Sequence, residues 1–141
     1  MATTSVVPYA SAMADPDSVQ RWLDAYLLAW ETYDADDIGA LFTDTAVYRW
    51  HPWDEGDDVA VGRAAIVAGW LDERDTPGTY HGEMRPLVVT DDVAVAVGAC
   101  RYYTDDSRST VDREYRNLWE LRFADDGRCE AFTEWYMRVP D

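Results

Sequence analysis

The sequence predicts an α+β fold with helices on one face of a curved, mainly antiparallel sheet, and three observations carry that prediction. Apolar residues recur at helical spacing in three segments before Gly78. After Gly78 the pattern changes to long runs of strand formers separated by short polar turns. The chain has 141 residues and no interdomain linker or internal repeat, so helices and strands close around one core.

Residues 1–16 read as a flexible lead and 17–141 as a single domain. Asp15-Pro16-Asp17-Ser18 supplies a cap and a proline for a first and longest helix, about 18–33. Its inward stripe is Val19, Trp22, Leu23, Tyr26, Leu27 and Trp30. Asp34 to Asp37 cap a shorter helix with Ile38, Leu41 and Phe42. A strand over about 45–51 stops at Pro52, and Asp54 to Asp58 read as an acidic turn. A third helix, about 63–74, points Ile66, Val67, Trp70 and Leu71 inward, and Pro77-Gly78 ends it. Strands follow over 80–89, 93–103, 111–123 and 129–139, the last two joined by the hairpin signal Asp125-Asp126-Gly127.

Composition narrows the chemistry. Net charge is −16 and all twelve basic residues are arginine. Without lysine there is no Schiff-base chemistry and no phosphate-loop lysine. The acidity speaks against nucleic acid and anionic membranes as partners, and no run of about 18 apolar residues spans a bilayer. Met1 to Ala14 lack a basic start and an apolar stretch, so no secretion signal is read and a cytoplasmic location is expected. Cys100 and Cys129 are read as free buried thiols. With two histidines and no grouped cysteines, no metal site is expected. Aromatics make up 13%, with seven Trp and nine Tyr, more flat surface than a small core needs. A planar or cyclic ligand, a Trp-rich core and an aromatic dimer interface each account for the excess.

Ala46 to Trp53, the run Ala-Val-Tyr-Arg-Trp-His-Pro-Trp, is the most informative stretch, because a strand-type alternation runs into a proline and delivers His51 to its end. On the 111–123 strand, Arg113, Tyr115 and Asn117 share a face with the hydrophobic row Trp119, Leu121 and Phe123. On the last strand Phe132, Glu134 and Tyr136 share one face, while Trp135 and Met137 share the other.

These parts, in order, resemble the nuclear transport factor 2-like superfamily, in particular its SnoaL-like and ketosteroid-isomerase-like branches. Over about residues 17–139 the resemblance is carried by the helix holding Tyr26 and Trp30, by Asp36 to Val47, by Gly62 to Ile66, by Leu121-Arg122-Phe123 before Asp126-Gly127-Arg128, and by Phe132 to Tyr136. It implies a cone-shaped sheet of five to six strands wrapped around the first helix, an apolar pocket at its open end, and a homodimer formed through the outer sheet face. It also implies a cofactor-independent isomerase, cyclase or hydrolase acting on a small apolar cyclic molecule, or a non-catalytic carrier or interaction module. Tyr26 stands where ketosteroid isomerases hold a pocket tyrosine, and His51 where they hold a catalytic aspartate before a proline. Trp119 replaces their second aspartate.

On that register His51 is the expected base, since an unperturbed imidazole titrates near ~6.5. Tyr26 is the expected oxyanion donor, with the Trp119 indole N–H as a second. Glu134 is expected to pair with Arg113 and orient a ligand. Trp30, Trp53, Asn117 and Tyr136 complete the expected ligand wall. Each residue also has a structural reading: a hydrogen-bonded loop histidine, core rings on a helix stripe, an ion pair fixing the cone.

Overall fold

The computed structural model describes residues 14–72 and 74–141; most of the predicted lead lies outside them. Helix α1 spans Pro16–Thr32, α2 Ala35–Ala40 and α3 Arg63–Asp72. Strands are β1 Phe42–Arg49, β2 Ala60–Val61, β3 Tyr80–Thr90, β4 Val93–Tyr103, β5 Val111–Phe123 and β6 Cys129–Arg138. The capping reading holds. Asp15 accepts from the Ser18 N–H at 2.8 Å, and the Ser18 hydroxyl accepts from the Asp15 N–H at 3.0 Å.

All six strands form one open, mixed sheet in the order β2-β1-β6-β5-β4-β3. β1 runs parallel to β6, and every other neighbour pair is antiparallel. The sheet curves over α1 to give the cone-like α+β architecture. Its inner face meets α1 through Trp119, Leu121, Phe123 and Phe132, all buried. Phe132 is the keystone of this layer, stacked on Tyr26 at 5.4 Å and on Tyr48 at 4.3 Å between ring centres.

Two boundaries move from those read in the sequence. Phe42 begins β1 rather than closing α2, because it pairs with Cys129 of β6. The strand also ends at Arg49, two residues before His51, which therefore lies in a turn. The two-residue β2 was not foreseen, since two residues show no periodicity. Cys100 and Cys129 are free and buried, and burial pushes both thiols up to about 12, leaving them protonated and unreactive. No described helix is long and apolar enough to cross a membrane.

Candidate functional site

The turn that follows β1 builds the first part of the site. Pro52 sets the backbone for a tight turn, closed by the Asp54 N–H donating to the His51 carbonyl at 3.1 Å. The turn folds the Asp54 carboxylate back on the histidine. It accepts from the His51 backbone N–H at 3.0 Å and from ring Nδ1 at 3.1 Å. Asp54 is only 7% exposed. A carboxylate can only accept, so Nδ1 carries a hydrogen, and in the neutral ring the lone pair is then on Nε2. The Tyr136 hydroxyl stands 3.0 Å from Nε2 and donates to it in that tautomer. Asp54 is thus a site residue within what the sequence shows only as an acidic turn. Its signal was the spacing, three residues beyond a histidine across a proline.

His51 opens onto a cavity of about 530 Å³ lined from α1, α3 and strands β3 to β6, within the range that takes small molecules. Tyr26, Trp30, Arg113, Asn117, Glu134 and Tyr136, six of the expected residues, line it with His51 and Trp119. The ninth, Trp53, does not. It occupies the third position of the turn, is 74% exposed, and stacks on the solvent side of His51 at 4.9 Å.

The Glu134 carboxylate is set differently from expectation. Its Oε2 accepts from Asn117 Nδ2 at 2.7 Å and from the Trp119 indole N–H at 3.0 Å. Arg113 instead binds Asp112 at 2.7 Å and lies over the Tyr102 ring at 4.1 Å. The sheet register explains the difference. Glu134 pairs with Trp119 across β5 and β6, and Arg113 stands six residues, about 20 Å, further along the strand. The Trp119 N–H, engaged by Glu134, is therefore no second oxyanion donor.

Burial pushes the Glu134 carboxyl above its ordinary value of 4.5, while the Trp119 and Asn117 hydrogen bonds and nearby His51 pull it down. Linkage fixes the sign. Above pH 4.5 the unfolded chain releases a proton that the folded chain still holds, so this group penalises folding increasingly until pH passes the folded-state value. Glu134→Gln is expected to melt above the parent protein at pH 7 and level with it below pH 4.5. Calorimetry at the two pH values checks this, and an unchanged difference between them would contradict it.

Tyr26 brings a partner that the sequence reading missed. Its hydroxyl lies 2.7 Å from that of Tyr48, which is fully buried. Burial pushes both phenols well above their ordinary value, so both stay protonated. With Tyr48 donating to Tyr26, the Tyr26 proton is free to point into the cavity. The alternation Ala46, Tyr48, Trp50 along the first strand was the available signal. Trp50 and Trp70 add to the wall. Trp50 lies so close to α3 that a Cβ at Gly69 would stand 2.7 Å from its ring, so a glycine is required there.

Among the described residues, three buried polar atoms of the lining have no hydrogen-bond partner: the Trp30 and Trp70 indole nitrogens and Asn117 Oδ1. Among the described residues, no group of three His, Cys, Asp or Glu side chains could hold a metal ion. His81 lies on exposed β3 surface, 3.4 Å from Glu83 and away from the cavity, as an ordinary strand residue.

Comparison with known proteins agrees with this architecture. The fold is similar to that of a candidate ketosteroid isomerase from Kribbella flavida, at 14% identity and TM-score 0.64 over 90% of this chain and 83% of that one. It is also similar to an NTF-2 like protein from Burkholderia xenovorans, at 14% identity and TM-score 0.65 over 89% and 87% of the two chains. A third neighbour, a candidate polyketide cyclase from Sinorhizobium meliloti, has 19% identity and TM-score 0.58 over 86% and 100%. No curated protein sequence matches the chain. The family model of the SnoaL-like domain matches residues 19–132; with that match over most of its length, the chain belongs to the SnoaL-like family of the NTF2-like superfamily.

Proposed function

We propose that the protein is an acid/base enzyme of isomerase, cyclase or hydrolase type, acting on a small and largely apolar cyclic molecule. One observation carries the reading: the buried Asp54 holds His51 in the tautomer whose Nε2 lone pair opens onto a ring-lined cavity. His51 takes the proton, with Asp54 stabilising the imidazolium that forms. Tyr26, backed by Tyr48, donates to the oxygen on which charge develops. Glu134, its carboxyl raised by burial, holds or returns a proton at Oε1, the oxygen left without a protein donor. Base, acid and oxyanion donor are all side chains, so this chemistry needs no metal or organic cofactor. Two structural neighbours carry isomerase and cyclase descriptions, in keeping with it.

Tyr136 favours a second reading, a carrier, because its hydroxyl occupies Nε2. Native mass spectrometry of freshly purified protein identifies any copurifying molecule, and turnover of that molecule without additives separates the two. Conversion supports the enzyme; release of the molecule unchanged supports the carrier.

A homodimer through the outer sheet face is part of the same proposal. Val97, Leu118 and Trp135 form one row across β4, β5 and β6 on that face, and Trp135 and Met137 are 46% and 77% exposed. Trp135→Asp is expected to convert a dimer to a monomer in sedimentation at micromolar protein. A parent chain that sediments as a monomer would contradict it.

A further inference from the structure

We infer that the ligand of this cavity carries a positive charge, a protonated amine or quaternary ammonium group on its cyclic frame. The inference rests on the cavity being a ligand site, as proposed above, and does not depend on turnover.

The charges of the wall give the first support. Asp75 and Asp72 line the cavity beside the Glu134 carboxyl, against one guanidinium, Arg113. That guanidinium is already matched by Asp112 outside the lining, and His51 is matched by Asp54. Among the described residues, the Asp75 and Asp72 carboxylates remain without a cationic partner. Asp75 is held in place by the Tyr33 hydroxyl, which donates to Oδ2 at 3.0 Å and leaves Oδ1 for another donor.

The backbone adds to this field. Gly69, Trp70 and Asp72, in the last turn of α3, line the cavity, so the negative end of the helix dipole faces it. That turn holds no basic residue. Arg74, two residues further on, is exposed and outside the lining.

Rings and hydrogen bonds are of the same kind. Nine of the seventeen lining residues are Trp or Tyr, whose faces attract cations. Arg113 over Tyr102 shows that this wall accepts one. Asn117 Oδ1 is a buried acceptor without a donor, its amide turned by the bond from Nδ2 to Glu134. An ammonium N–H is a suitable donor. The unpaired donors, the Trp30 and Trp70 indoles, are neutral and select an oxygen without selecting its charge. A neutral ligand that expelled water from this site would leave the half-buried Asp75 carboxylate uncompensated. At long range the net charge of −16 draws cations in.

Three benzyl probes test the inference by isothermal titration: benzyltrimethylammonium, its neutral isostere neopentylbenzene, and the smaller anion phenylacetate. The cation is expected to bind about tenfold or more tighter than the neutral isostere, with phenylacetate weakest. Raising NaCl from about 50 to about 500 mM is expected to weaken the cation alone. Asp75→Asn, which keeps an acceptor for Tyr33, and the exposed Asp72→Asn are each expected to lower the cation's affinity several-fold and leave neopentylbenzene unchanged. Equal or tighter binding of the neutral or anionic probe overturns the inference. So does the absence of saturable cation binding up to about 10 mM, or a preference that neither variant reduces. A cation preference without turnover sinks the catalytic reading alone; turnover of a neutral substrate without cation preference sinks this inference alone.

Discussion

Replacing His51 by glutamine is expected to lower turnover by about 10²–10⁴-fold, the range of a lost general base, while leaving melting temperature and ligand affinity close to those of the parent protein. Glutamine is of similar length and can still hydrogen-bond the Tyr136 hydroxyl, but it offers no basic nitrogen. The turn survives because Pro52 and the bond from the Asp54 N–H to the His51 carbonyl hold the backbone. Asp54→Asn is expected to lower turnover in the same direction. A neutral amide neither fixes the Nδ1–H tautomer nor stabilises the imidazolium. Steady-state kinetics beside a binding titration checks both variants. A loss of affinity equal to the loss of turnover would mean that His51 holds the ligand and moves no proton.

Phe132→Ala is expected to cost about 3–5 kcal/mol of stability and to lower the melting temperature by about 10–15 °C. Phe132 is 1% exposed and lies between α1 and β1, against Tyr26, Tyr48, Trp22 and Trp119. Rings set by strands and helix cannot collapse into the space left behind, so the penalty falls at the upper end of core truncations. Trp53→Ala, at a residue 74% exposed, is expected to change stability by no more than about 0.5 kcal/mol. Urea unfolding of the two variants supplies the contrast. A Phe132→Ala penalty below about 1.5 kcal/mol would show that this layer does not bear the load assigned to it.

The fold was legible where elements were long and bounded by strong turn chemistry. β4 and β5 occupy the residues read for them, and their alternation placed Trp119, Leu121 and Phe123 inside. β2 was not legible, since its two residues are fixed by pairing with Val47 and Tyr48 and not by a pattern of their own. Within the site, alternation grouped the residues by face and the family resemblance gave the inward face of β6, while partner identity could not be read. Glu134 and Arg113 do line one cavity, but the register of β5 against β6 decides that Glu134 meets Trp119 and Asn117. Asp54 stood among acidic neighbours that are solvated, and only the turn around Pro52 turns its carboxylate inward. Trp53 shows the same limit from the other side. It belongs to the most informative stretch of the sequence, and that turn points it at solvent.

Uptake of solvent deuterium tests the central assignment, proton transfer at His51 Nε2, most directly. The ligand identified by native mass spectrometry, held with the protein in D₂O and followed by proton NMR, should lose one hydrogen signal with the parent protein and keep it with His51→Gln. A ligand that stays bound for hours to the parent protein and retains every carbon-bound hydrogen, or that exchanges equally fast with His51→Gln, would contradict it.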